Sequence, residues 1–244
     1  MSKEKIAITI EHSLLRLLDS KIDGSMLRSR SQSIEYYLRK GLAGDSIATA
    51  VLLLKEDHQH IALQMRNGKS LFKNQLEFFA KYGIKKFYLI TPNPRKELRE
   101  EMIDAPVEIL DHESKGNAHA LLALKGKVKS SFVVMSGDTY NNFDLSRMMQ
   151  KHLQLNPLAT MGLMTREKSS DYGTAILDGD YIIAFKENTS SLSSHIVNAG
   201  IYIFRPEVFE LLGGSSLEKD IFPKLAMIKQ LVGFFTYGEY EHFG

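Results

Sequence analysis

An aspartate that leaves a buried strand directly after two small residues is a candidate for chemistry on phosphates. Ser136-Gly137-Asp138, which follows the apolar run at residues 132–135, has that arrangement. In open α/β sheets, ligands collect at the carboxyl ends of strands, and a carboxylate there can hold a divalent cation that neutralises phosphate charge. A turn or helix-capping role for Asp138 is the plainer alternative. His58 and His60 alternate as candidate metal ligands, but they sit in the polar run Lys55-Glu56-Asp57-His58-Gln59-His60, which reads better as a surface loop. The chain has no cysteine, so thiolate nucleophiles, thiolate metal sites and disulfides are excluded.

Two blocks of chain must position these groups. At 244 residues, two domains are the default, and 43% hydrophobic with 25% charged residues is an ordinary globular composition. No apolar run approaches a membrane span, and the N-terminus lacks the apolar core of a signal peptide, so a cytoplasmic location is expected. The formal charge of +2 is unevenly placed: residues 1–44 hold eight Lys or Arg against five acids, and the remainder is close to neutral. A small basic arm suits a polyanion.

In that arm, Lys5-Ile6-Ala7-Ile8-Thr9-Ile10 alternates strictly, which predicts a strand with the three isoleucines on one face. Leu14, Leu15, Leu17 and Leu18 follow at helical offsets, and after a break at Asp23-Gly24-Ser25, Ile34, Tyr37, Leu38 and Leu42 share one face of a second helix. One strand and two short helices bury little apolar surface, and a lone strand lacks a ladder partner. The segment is therefore expected to pair with a second copy, forming a homodimer whose two-stranded ribbon turns Lys5, Ala7 and Thr9 outward into a major groove of double-stranded DNA.

This order and spacing, over residues 3–43, resembles the ribbon-helix-helix family, which includes the Arc and methionine repressors. The resemblance implies that Lys5, Ala7 and Thr9 face base edges. It also implies that Ser29, Arg30 and Ser31, at the start of the second helix, hold DNA phosphate.

Beyond Gly44-Asp45-Ser46, strand-like runs alternate with helical patterns. Strands are predicted near residues 49–54, 86–90, 107–110, 132–135, 160–164 and 197–204. A helix is predicted near 71–82, and a hairpin joins 174–177 to 181–185 through Asp178-Gly179-Asp180. The expected division is 1–44 and 47–244, with the second part an α/β domain built on a mixed, mainly parallel sheet.

Four segments of that domain, FVVMSGDTYNNFDLSRMMQKH, DYGTAILDGDYIIAFKEN, VNAGIYIFRPEVFELL and SSLEKDIFPKLA, resemble in order and separation the sugar-nucleotide pyrophosphorylases, or nucleotidyltransferases. The resemblance spans roughly residues 48–244 and implies a Rossmann-like fold. Members of that family join a sugar 1-phosphate to a nucleoside triphosphate and release pyrophosphate. By position, Asp138 matches the metal aspartate, and Gly116 with Asn117 matches the loop beside base and sugar. Glu187 matches the sugar-contacting glutamate, Asn198 and Gly200 lie in the motif lining the sugar pocket, and Lys69 falls where a lysine follows the signature loop.

The departures are at charged positions. The family's Gly-rich phosphate loop is replaced by residues 55–60, the lysine expected after Glu187 is Asn188, and the second metal aspartate aligns with His242. Phosphoryl transfer depends on positioned charge. The expectation is therefore a DNA-binding transcription regulator whose nucleotidyltransferase-like domain has no catalytic residues and no required cofactor. That domain would sense a nucleotide or nucleotide-sugar ligand, or serve as an oligomerisation platform. The alternative is an active Mg²⁺-dependent sugar-1-phosphate nucleotidyltransferase with an autoregulatory DNA-binding domain.

Overall fold

The alternation Ala50, Val51, Leu52, Leu53 explains the centre of the fold, because successive side chains of a strand point to opposite faces. Val51 joins one apolar cluster with Tyr88, Ile90, Phe132 and Val134, and Leu53 packs against it; Ala50 and Leu52 join a second with Phe87, Leu89, Val133 and Met135. Both faces of the sheet are thus covered, as a sheet with parallel strands requires.

The computed structural model describes residues 6–22, 27–44, 47–103, 105–167, 172–187 and 194–243. They fall into two compact units, Met1–Ser46 and Ile47–Gly244. In the second, nine described strands form one sheet in the order Val107–Asp111, Lys86–Thr91, Thr49–Leu53, Phe132–Ser136, Ile196–Phe204, Ala159–Thr165, Leu231–Phe235, Tyr181–Lys186, Thr174–Asp178. The first four are mutually parallel. Ile196–Phe204 then enters antiparallel to both neighbours, and beyond it only Ala159–Thr165 and Leu231–Phe235 pair in parallel. The sheet is mixed in near-equal parts rather than mainly parallel, because residues 196–204 return through its middle and the expected hairpin folds back as Thr174–Asp178 against Tyr181–Lys186.

Helices pack on both faces. Leu71–Lys81 starts at Ser70, whose side chain accepts from Lys73 N, and buries Leu71, Phe72, Phe78 and Phe79. Leu145–Leu155 is capped by Asp144, buries Leu145, Met148 and Met149, and ends at Asn156 in the left-handed region. On the other face, Phe222–Met227 contributes Phe222, Leu225 and Ala226.

The N-terminal unit holds helices His12–Asp19 and Arg30–Gly44. Residues 6–10 form no strand, since the segment finds no ladder within its own chain, and Lys5 lies outside the described residues. A ribbon-helix-helix is therefore not what this chain displays. Ala7 and Thr9 are exposed. The Arg30 guanidinium, expected on phosphate, instead makes two hydrogen bonds of 2.7 Å with the carboxylate of Asp19. Ser29 uses its hydroxyl to accept from Gln32 N, and Ser31 is an exposed residue of the second helix's first turn. No helix among the described residues is long and apolar enough to cross a membrane.

Candidate functional site

Asp138 occupies the turn between strands Phe132–Ser136 and Thr139–Asn142, at the carboxyl end of the parallel half of the sheet. Gly137 makes this turn possible. Its N–H donates to Leu53 O at 2.7 Å, and a Cβ at this position would lie 2.9 Å from Leu54 Cδ1. The buried Gln75 carboxamide holds the turn from the helix side, donating to Ser136 O at 3.1 Å and Thr139 O at 2.7 Å.

The Asp138 carboxylate is nearly buried, with 7% of its side chain exposed. His58 Nδ1 lies 2.7 Å from Oδ2, and Ser136 Oγ donates to Oδ1 at 2.6 Å. His242 Nδ1 stands 3.7 Å from Oδ1. Burial pushes the carboxyl upward, but the Ser136 and His58 hydrogen bonds and the nearby His242 outweigh it, and the group sits below the usual aspartate range. His242 arrives on strand Glu239–His242, which pairs antiparallel with Thr139–Asn142. Gly238 precedes that strand because a Cβ there would strike Asn142 O.

Asp138 faces a cavity of about 720 Å³ whose wall includes Lys55, Glu56, Asp57, His112, Lys115, Gly116, Asn117, Glu187, Tyr202, Ser215, Ser216, Glu218 and His242. Lys55 and Lys115 have no ion-pair partner among the described residues. Gly116, at φ 140°, lets its loop press against Ser215, whose carbonyl oxygen would lie 2.2 Å from an added Cβ. Asn117 Nδ2 donates to both oxygens of Glu218, at 3.0 and 2.9 Å, and Oδ1 accepts from Leu217 N at 2.8 Å. Tyr202 adds its hydroxyl to Glu218 at 3.4 Å and accepts from Asn198 Nδ2 at 2.6 Å. Burial, then Glu218, holds the Tyr202 phenol well above its ordinary value.

Glu187 Oε2 is buried without a hydrogen-bond partner among the described residues, and burial together with Glu218 raises this carboxyl above its usual range. Gly173 makes room for it, since a Cβ there would lie 2.6 Å from that oxygen.

Of the positions expected at the ligand, Gly116, Asn117, Asp138 and Glu187 come together on the cavity wall. Asn198 and Gly200 stand behind it: Gly200 N donates to Asn198 Oδ1 at 2.9 Å, and Asn198 in turn holds Tyr202. Lys69 is not brought there, because its ammonium is taken by Glu77 on the following helix. Asn188 lies outside the described residues. His58, a candidate metal ligand in a stretch that reads better as a polar surface loop, instead stands at the N-terminus of the short helix Gln59–Ala62 and turns its ring onto Asp138. Tyr202 and Glu218 were missed as individual residues, although the segments VNAGIYIFRPEVFELL and SSLEKDIFPKLA contain them.

Residues 53–233 match the nucleotidyl transferase family. The catalytic subunit beta of mannose-1-phosphate guanylyltransferase from Drosophila pseudoobscura pseudoobscura is 30% identical over 176 residues, which are 67% of this chain and 47% of that protein. The D-glycero-alpha-D-manno-heptose 1-phosphate guanylyltransferase of Aneurinibacillus thermoaerophilus is 29% identical over 131 residues, 52% of this chain and 56% of that protein. The chain spans about half the length of these curated relatives. Among solved structures, UDP-glucose pyrophosphorylase complexed with UDP-glucose superposes with a TM-score of 0.68 at 15% identity, over 80% of this chain and 92% of that one. The inositol-1-phosphate CTP transferase from T. maritima gives 0.67 at 14% identity, over 80% and 89%.

The relatives carry the names of sugar-nucleotide enzymes, which overturns the expectation of a DNA-binding transcription regulator with a catalytically silent second domain. The match covers most of the chain and runs through both Asp138 and Glu187, so this protein belongs to the nucleotidyl transferase family.

Proposed function

We propose that the chain transfers a nucleotidyl group from a nucleoside triphosphate to a sugar 1-phosphate. One observation carries the reading: a cavity at the carboxyl ends of parallel strands joins Lys55 and Lys115, which have no ion-pair partner among the described residues, to the uncharged and acidic hydrogen-bonding groups of Asn117, Ser215 and Glu187. In the transfer, an oxygen of the sugar phosphate attacks the α-phosphorus, the bond to the β-phosphate oxygen breaks, and pyrophosphate leaves. Stabilising charge at the phosphates is what such a reaction needs from the protein. Lys55 follows strand Thr49–Leu53, where the resemblance expects a glycine-rich loop, and supplies part of that charge. Glu187, whose buried Oε2 has no donor among the described residues, accepts from a sugar hydroxyl.

A Mg²⁺ ion held by Asp138, as the resemblance implies, does not fit the donors present. Mg²⁺ takes oxygen ligands in near-octahedral array, whereas the second position beside Asp138 is an imidazole and His58 already bonds the carboxylate. Among the described residues, no three His, Asp or Glu side chains converge as a metal site.

The test is pyrophosphate release from a panel of nucleoside triphosphates and sugar 1-phosphates, each with and without the protein. Product formation that is lost in Lys55→Ala and Lys115→Ala supports the assignment. Silence across the panel ends it.

We further propose that the N-terminal unit pairs with a second copy of itself. Ile6, Ile8, Leu14, Leu17 and Leu38 are all more than half exposed, and helix His12–Asp19 buries no residue. Light scattering is expected to show a dimer that Leu17→Glu converts to monomer; an unchanged mass removes the proposal.

A further inference from the structure

Asp138 is surrounded by donors in a way that gives its carboxylate a different task from metal binding. Its two oxygens offer roughly four lone-pair sites. Three are met from within the chain: His58 Nδ1 at 2.7 Å on Oδ2, and Ser136 Oγ at 2.6 Å and Thr139 Oγ1 at 3.3 Å on Oδ1. His242, in the position expected of a second carboxylate, brings a nitrogen to 3.7 Å from Oδ1 instead. Nitrogen donors suit softer transition ions better than Mg²⁺, but the His58 ring is hydrogen-bonded to the carboxylate rather than converging with it on a common point. Two rings also reach one carboxylate from parts of the chain far apart in sequence. His58 is set by helix Gln59–Ala62, and His242 by a ladder in which it pairs with Thr139 while Phe243 N donates to Asp138 O at 3.0 Å.

We propose that Asp138 anchors His58 and His242 in place of a Mg²⁺ ion, and that His242 is the group this corner of the cavity presents to ligand phosphate. His242 lines the cavity and its side chain is 41% exposed, so it is within reach of a ligand. Asp138 and His58 are then positioning residues. The inference rests on the proposed function for the identity of its ligand, a polyphosphate, and changes which groups of this chain hold it.

Two binding measurements on the full-length protein, neither needing turnover, decide the matter. In the first, Mg²⁺, Mn²⁺ and Zn²⁺ are each titrated alone into the wild type and Asp138→Asn, with the melting temperature as readout. The expected result is the same response in both proteins; a metal-induced rise present in the wild type and lost in Asp138→Asn overturns the proposal.

In the second, inorganic tripolyphosphate is titrated calorimetrically into the wild type and His242→Gln. About tenfold weaker binding is expected in the variant, equivalent to about 1.4 kcal/mol, and equal affinity overturns the contact role. Should the variant fold poorly, the ring resonances of the wild type serve: His242 signals are expected to move on adding tripolyphosphate, and stationary signals overturn it as well. If both binding results hold while no triphosphate yields pyrophosphate, the catalytic proposal fails and the anchoring of the imidazoles stands.

Discussion

Asn117 and Glu218 are joined by two hydrogen bonds of 3.0 and 2.9 Å across a hundred residues of chain, and the same Asn117 accepts from Leu217 N at 2.8 Å. One carboxamide therefore fastens the Gly116 loop to the segment carrying Ser215 and Ser216. Asn117→Ala leaves a half-buried carboxylate and a backbone N–H short of partners, at a cost of about 1–3 kcal/mol. Asn117→Asp keeps the shape but sets a second negative charge against Glu218, so it is expected to cost at least as much. Urea unfolding of the two variants checks this, and an Asp variant as stable as wild type contradicts the hydrogen-bond account.

Gly116 and Gly126 both have positive φ, 140° and 81°, but only Gly116 has a neighbour within 4 Å of an added Cβ, Ser215 O at 2.2 Å. Gly126→Ala is expected to lose about 1–2 kcal/mol from backbone strain alone. Gly116→Ala is expected to lose more and to weaken ligand binding as its loop lifts from Ser215. Comparable melting temperatures for the pair would remove the steric argument.

His152 is 1% exposed and packs its Nδ1 2.8 Å from Thr160 Oγ1. Burial, with the Arg205 charge as a lesser cause, lowers its pKa from 6.5 to about 4. The folded chain thus binds fewer protons than the unfolded chain between those values. Its contribution is fully present above pH 6.5 and is lost as pH falls toward 4, by about 3 kcal/mol in total. Denaturation midpoints at pH 7 and pH 5 are expected to differ for the wild type and to differ less for His152→Gln.

Lys55 and Lys115 bring cavity charge with no ion-pair partner among the described residues, so each substitution by alanine is expected to lower kcat/KM for pyrophosphate release by on the order of 10² to 10³. Lys69→Ala serves as the comparison. Its ammonium is paired with Glu77 away from the cavity wall, and activity is expected to stay within a factor of about two of wild type. Loss of activity in Lys69→Ala to the level of Lys55→Ala would show that the Lys69 ammonium leaves Glu77 and reaches the ligand.

Apolar runs alternating with helical patterns carried most of the second unit's fold into view, whereas the strict alternation of residues 5–10 pointed to a strand that residues 6–10 do not form. The apolar run at residues 49–54 read directly as a strand, and the turn residues Asp178-Gly179-Asp180 marked the hairpin. Strand direction was less legible, because the inward return of Ile196–Phe204 depends on pairings with residues 132–136 and 159–165 that no local pattern encodes. At the site, Asp138, Gly116, Asn117 and Glu187 were legible from motif and position. His58 was not, since its contact lies 80 residues away and its neighbours are polar. Arg30 and Lys69 misled for a related reason: a cation's availability depends on whether a carboxylate, here Asp19 or Glu77, folds onto it.

The cavity wall takes its residues from several elements between Leu53 and Asp138 and from Glu187, Tyr202, Ser215, Ser216, Glu218 and His242 far along the chain, so nearly the whole second unit must be in place before a ligand has anything to hold. Occupancy and complete folding are then thermodynamically linked. A ligand at a hundredfold excess over its Kd is expected to add about 2.7 kcal/mol to global stability, and heat-scanning the protein against candidate ligands becomes a way to discover the natural one without assuming which reaction it undergoes.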